Sequence, residues 1–142
     1  MTKNVVPKFG AATGSSGWRR IILHLAREPA FPDGSSRHGY AIEAPLDSEG
    51  HLNAEAWRAS GRKCPVNRFW GAEPSSAGWL EHRRGGAGGA SWIIDYDRAS
   101  SDDDEAGYRL DHHAFRVGEY VTIAGNAGSH TFLVVEINAA QD

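Results

Sequence analysis

The chain has 142 residues and a formal net charge of −3, with 40% hydrophobic and 23% charged residues, which is typical of one folded domain. A chain of this length buries enough apolar surface to fold without disulfides or a metal. The composition therefore excludes a collagen-like, coiled-coil, disulfide-scaffold or globally disordered protein. Fifteen basic against eighteen acidic side chains do not favour a nucleic-acid partner, because non-specific binding to nucleic acids depends on Lys and Arg neutralising phosphates.

The two ends of the sequence predict tails around a single domain. Residues 1–17 contain no apolar stretch typical of a signal peptide and finish in a run of Gly, Ala, Ser and Thr, so we expect a disordered N-terminal tail. No segment approaches the roughly 20 apolar residues of a membrane span. We therefore predict a cytoplasmic protein with one β-rich domain at 18–138, a C-terminal tail at 139–142 and no membrane partner.

Hydrophobic residues alternate with polar ones along most of the domain, which is typical of half-buried strands. Turn-forming Pro, Gly, Asp and Ser residues separate these segments. We expect Gly118 to form a bulge or a tight turn on entering the penultimate strand. In chain order, the predicted strands lie at about 19–27, 38–44, 64–70, 78–84, 90–97, 115–123 and 130–137.

One helical segment interrupts the strands at 53–60. Asn53 is a good N-cap, Glu55 lies in the first turn, and Gly61 is a suitable terminator. A helix of about two turns is marginal alone, so it must dock through Leu52 and Trp57. About seven short strands, one short helix and no strand–helix–strand alternation predict an all-β fold, namely a small antiparallel, partly open barrel.

Tryptophan and arginine side chains come together in one predicted hairpin. Trp79 and Trp92 lie on its two arms, Arg83 and Arg84 lie near its tip, and the glycine-rich connection 85–89 makes the tip adaptable. Such residues stack on ligands and dominate binding surfaces, although most tryptophans in a small barrel belong to the core. The leading hypothesis is a non-enzymatic binding module for a small ligand or a protein partner, with these four residues at the ligand site.

The alternative hypothesis is a small metal-dependent enzyme or metal-binding protein. Asp95 and Asp97 share one face of a strand, and with His112 or His113 they would offer oxygen and nitrogen ligands to a divalent ion. No recognised metal-binding spacing is present. The competing interpretation places the two aspartates at a strand end and in a loop, and the two histidines in a turn. Convergence of these residues with His38 in one cleft would favour the metal hypothesis.

Whether the protein is an enzyme stays open at this point. Cys64 follows Arg62 and Lys63, whose charges lower the pKa of an exposed thiol, but free cysteines are more often buried as small apolar residues. No serine lies in a Gly-x-Ser-x-Gly motif. A third hypothesis is a nucleic-acid-binding barrel, against which the net charge argues.

Several short stretches resemble a group of small uncharacterised bacterial proteins. They are Arg-His-Gly-Tyr at 37–40, Ala-Pro-Leu-Asp at 44–47, Gly-His-Leu at 50–52 and Gly-Glu-Tyr-Val at 118–121, together with Phe132 and 134–135. The likeness extends over about 18–137. It implies a single bacterial cytoplasmic domain, and it transfers no activity, cofactor or functional residue.

Overall fold

A computed structural model describes residues 17–83, 91–96, 108–110, 114–125 and 128–140 of the chain. Most of these residues are in strands, and one short helix lies between the second and third strands. The elements in chain order are β1 (Trp18–Leu25), β2 (Ser35–Pro45), α1 (Ala54–Ser60), β3 (Cys64–Trp70), β4 (Glu73–Arg83), β5 (Ser91–Tyr96), β6 (Tyr108–Leu110), β7 (Tyr120–Gly125) and β8 (Gly128–Ala139).

The strands form an antiparallel barrel in which each strand pairs with the next along the chain and β1 pairs with β8. The predicted all-β barrel with one short helix is confirmed. The described residues contain eight strands where about seven were expected, because the three-residue β6 lies between the predicted strands at 90–97 and 115–123, where no strand was predicted. β1 bonds to β2 on one edge and to β8 on the other, so the strand order returns to its starting strand. Nothing in the sequence of β1 predicts this second partner.

Among the described residues, β6 has the fewest paired positions of the eight strands. This strand pairs with β5 over three residues and with β7 over two, whereas β1 and β8 pair at seven positions. The described part of β6 links β5 to β7 and so completes the strand order of the barrel.

Alternation along each strand sends one set of side chains into the barrel. Leu23 and Val134 are fully buried, and Tyr40 packs edge-to-face on Phe132 with ring centroids 5.1 Å apart. The buried apolar residues of the core include Ile21, Leu23, Tyr40, Ile42, Val66, Leu80, Trp92, Ile94, Val121, Ile123, Phe132 and Val134. These side chains fill the interior, so the lumen is a packed core.

The backbones of β1 and β2 leave no room for a side chain at Gly39. A Cβ atom built on Gly39 would lie 1.9 Å from the carbonyl oxygen of Leu23. The pairing register shifts just beyond this point, where His24 faces Gly39 and Leu25 faces Ser35. The absence of a side chain at this position thus permits the close strand contact.

The helix α1 lies at the end of the barrel where β1 begins and β2 finishes, which we call the helix end. The Asn53 side chain accepts a hydrogen bond from the backbone N–H of Ala56 at 3.1 Å, and Gly61 ends the helix with a φ of 69°. Leu52 and Trp57 pack against the core. The predicted caps and the predicted docking residues are confirmed.

The structure describes the predicted turn at Gly118 and part of the two predicted tails. Gly118 lies in the expected turn, with a φ of 96°. This turn precedes the strand, so the strand predicted from 115 begins only at Tyr120. Residues 1–16 of the predicted N-terminal tail lie outside the described residues. Ala140 packs against the core and its N–H donates to the carbonyl of Trp18 at 3.1 Å, so contacts with the barrel continue beyond 138. No helix in the described parts of the chain has the length and apolar character needed to cross a bilayer.

Candidate functional site

A pocket of about 340 Å³ opens at the helix end, between α1, the segment 61–63 and β4. This volume lies near the lower end of the roughly 300–1,000 Å³ that is usual for small-molecule sites. Apolar, aromatic and charged side chains all contribute to its wall. The lining residues are Trp57, Arg58, 61–63 and 79–81.

Two tryptophans form the aromatic wall of this pocket. Trp57 extends from α1 onto the barrel core, where its ring lies 5.8 Å from the ring of Trp92 and 6.4 Å from that of His82. Trp79 alternates along β4 with the buried Gly78 and Leu80, so its side chain lies on the outer face of the sheet. The pocket therefore has one tryptophan held by the core and one held by the sheet surface.

Three basic side chains line the same pocket. The left-handed conformation of Gly61 ends α1 and leads directly into Arg62 and Lys63, while Arg58 lies in the last turn of the helix. The Lys63 ammonium lies 4.8 Å from the centroid of the Trp79 ring, and the Arg62 guanidinium lies 4.1 Å from that of Trp18. With Glu81 as the one carboxylate among the lining residues, the pocket has a formal charge of +2.

Of the four residues predicted for ligand binding, the structure describes the side chains of Trp79 and Trp92, and these two do not share a surface. Trp79 lines the pocket, whereas Trp92 is only 5% exposed and belongs to the core. The two rings lie on opposite faces of the sheet, because Trp92 pairs with His82 and Trp79 pairs with Asp95. The backbone of Arg83 ends β4, and Arg84 lies outside the described residues.

Sequence reasoning overlooked the contribution of the helix and of the segment that follows it. Trp57, Arg58, Arg62 and Lys63 were not included in the predicted site. A signal was present, because a tryptophan and three cations lie within seven residues. That signal becomes interpretable only when α1 is known to lie beside β4.

The predicted metal ligands are mostly beyond the described residues. Asp97, His112 and His113 lie outside them. Asp95 alternates with the buried Ile94 and Tyr96, which places its side chain on the outer face of β5. Within the part of the chain that the structure describes, no three His, Cys, Asp or Glu side chains are grouped to hold a metal ion.

His38 lies at the opposite end of the barrel, in a cluster with Trp70 and His130. The His38 and His130 rings lie 4.7 and 5.3 Å from the Trp70 ring. Nδ1 of His38 hydrogen bonds with Ser35 Oγ at 2.7 Å, and Nδ1 of His130 lies 2.9 Å from the Glu28 carboxylate. Because Glu28 belongs to the loop between β1 and β2, the cluster ties that loop to β8.

Cys64 is fully buried in the core, as the interpretation of a small apolar residue expected. Burial raises the pKa of its thiol to about 12, and the nearby Arg62 lowers it by a smaller amount. The thiolate is the nucleophilic form of cysteine, so this residue is a poor candidate for covalent catalysis.

The raised pKa of Cys64 predicts a loss of stability at alkaline pH. The unfolded chain releases the thiol proton above pH 9.0, whereas the folded chain retains it up to about 12. Because the unfolded state then binds fewer protons, the free energy of unfolding falls as the pH rises, by up to about 1.4 kcal/mol per pH unit. Urea unfolding of the wild type and of Cys64→Ala over this pH range measures the effect. The free energy of unfolding of the wild type should fall by this slope relative to that of the variant. Parallel pH profiles would contradict the assignment.

Comparisons with protein-family models, with curated proteins and with solved structures found no significant match to this chain. The geometry of the pocket is therefore the basis for a functional assignment, and the resemblance to small bacterial proteins stays a prediction.

Proposed function

We propose that this protein is a non-enzymatic binding module that holds a small ligand with a flat apolar body in the pocket at its helix end. The observation that carries the proposal is the cavity of about 340 Å³ with Trp57 and Trp79 in its wall. Small-molecule sites are concave and predominantly apolar, with a few polar groups that orient the ligand. The three cations and the Glu81 carboxylate supply such groups.

The pocket favours a small molecule over a nucleic acid. A nucleic-acid surface needs a row of phosphate-neutralising cations with aromatic platforms between them. The cations here, Arg58, Arg62 and Lys63, surround a single cavity. The chain as a whole is also acidic, with a formal charge of −3. A compact ligand that enters the cavity therefore matches the surface better than an extended polyanion.

Titration with N-phenyl-1-naphthylamine, a neutral aromatic dye that fluoresces in apolar sites, tests the proposal. We expect saturable binding of one dye per chain. Trp79→Ala should raise the dissociation constant about tenfold, because stacking on a tryptophan contributes on the order of 1–3 kcal/mol.

Tyr120→Ala is the matched control for this titration. Tyr120 is 56% exposed on β7 and is not a lining residue of the pocket. Its removal should leave dye affinity unchanged. Equal losses in the two variants, or unchanged affinity in Trp79→Ala, would place dye binding elsewhere and overturn the proposed pocket.

A further inference from the structure

We infer that the ligand of this pocket is a planar organic anion, a flat ring bearing one acidic group. This inference rests on the proposed function and adds the charge of the ligand to it. Four residues supply the argument: the Trp79 ring and the cations of Arg58, Arg62 and Lys63.

The first argument is the contrast between the charge of the pocket and that of the chain. Three basic side chains and one carboxylate, that of Glu81, give the pocket a formal charge of +2, whereas the whole chain carries −3. Cations gathered at a concave site with low-dielectric walls raise the local concentration of anions there. The excess of positive charge at this cavity therefore favours a negatively charged ligand.

The second argument is that aromatic contacts restrain two of the cations. The Lys63 ammonium lies over the Trp79 ring at 4.8 Å, and the Arg62 guanidinium lies over the Trp18 ring at 4.1 Å. Cation–π contacts of this kind hold a charged head near a defined position. The Lys63 ammonium is thereby held against the ring that a flat ligand would contact. A donor already in position loses less conformational entropy when the ligand binds.

The third argument concerns Arg58. Its side chain is exposed in the last turn of α1 and makes no ion pair with any side chain that the structure describes. A guanidinium presents a planar set of N–H donors that match both oxygens of a carboxylate. Arg58 in the last turn of α1 and Lys63 in the segment after it thus both supply charge-assisted donors to the cavity.

A positively charged ligand is not matched by the charges that line this pocket. A cationic ring stacked on Trp79 would lie next to the Lys63 ammonium and would have only the Glu81 carboxylate as a counter-charge. A neutral ring of the same shape keeps the stacking contact and loses the charge-assisted hydrogen bonds. The expected order of affinity is therefore anion, neutral molecule, cation.

Three compounds with one ring system test this order by isothermal titration calorimetry. They are naphthalene-2-carboxylate, naphthalene-2-carboxamide and 2-naphthylmethylamine, which carry charges of −1, 0 and +1 at neutral pH. We expect the carboxylate to bind about tenfold more tightly than the carboxamide, and the amine to bind more weakly than both. The preference for the carboxylate should decrease as salt is added.

Lys63 provides a matched pair of variants. Lys63→Met keeps an unbranched apolar side chain over Trp79 and removes the charge, so we expect the carboxylate to lose most of its advantage over the carboxamide. Lys63→Arg keeps the charge and should retain that advantage. The wild-type order of affinity and its loss in Lys63→Met together support the inference.

The result that overturns the inference differs from the result that overturns the proposed function. Equal binding of the carboxylate and the carboxamide, or tighter binding of the amine, overturns the anion assignment while the dye-binding pocket remains. Failure of the carboxylate to bind a protein that binds the dye at Trp79 also overturns it. Failure of the dye and of all three compounds overturns the proposed function itself.

Discussion

Gly39→Ala is expected to destabilise the barrel by about 3 kcal/mol or more, enough to unfold a marginally stable domain. The new Cβ atom would lie 1.9 Å from the carbonyl oxygen of Leu23 and 2.9 Å from its carbonyl carbon. Both contacts are with backbone atoms, so no rotamer change relieves them. β1 and β2 would have to separate at the position where their register shifts. Urea unfolding followed by tryptophan fluorescence measures the loss.

Gly118→Ala is the control for Gly39→Ala. Gly118 has a φ of 96°, and nothing lies within 4 Å of the place where its Cβ would be. Its substitution should cost only the left-handed backbone conformation, about 1–2 kcal/mol. A smaller loss in Gly39→Ala than in Gly118→Ala would show that the strand contact is not tight in solution.

Trp92→Ala is expected to cost about 3–5 kcal/mol, the usual range for removing a large aromatic residue from a core. Trp92 is 5% exposed, and its ring lies 4.9 Å from the ring of His82 and 5.8 Å from that of Trp57. The substitution would leave a cavity under α1 and would remove the ring against which Trp57 packs. Thermal and urea unfolding of the variant, with the same two measurements on the wild type, give the loss.

Trp79→Ala separates the role of Trp92 from that of a surface tryptophan. Trp79 is partly buried on the outer face of β4, and its described ring contact is with the Lys63 ammonium. A loss of about 1 kcal/mol is expected, because the substitution removes one cation–π contact and part of an exposed surface. Equal losses for Trp79→Ala and Trp92→Ala would contradict the division between a core tryptophan and a pocket-lining one.

Local structure was largely predictable from the sequence, because it depends on neighbouring residues. Asn53 and Gly61 predicted both ends of α1 through capping chemistry, and Gly118 predicted a turn through its backbone freedom. Period-two alternation located seven of the eight strands. β6 was overlooked, since a strand of three residues shows hardly any alternation.

The candidate site was predictable only in part. Trp79 was selected as a ligand-facing residue and does line the pocket, but its expected companion, Trp92, faces the interior. Alternation predicts that neighbouring residues of a strand lie on opposite faces, but it does not say which face residues 79 and 92 occupy. The face that becomes the interior depends on the register between β4 and β5, and this register cannot be derived from the sequence of either strand alone.

The sequence by itself determined the class of the fold, the caps of α1, most of the strands and the burial of a lone cysteine. Each of these follows from interactions between residues close in the chain or from the apolar character of single side chains. Only the tertiary structure decided that β1 pairs with β8, that α1 packs at the end of the barrel where β1 begins, and that Lys63 lies over Trp79. These are contacts between distant segments, formed where several elements bury apolar surface together. The pocket exists because α1 and β4 meet there, so no local pattern specifies it.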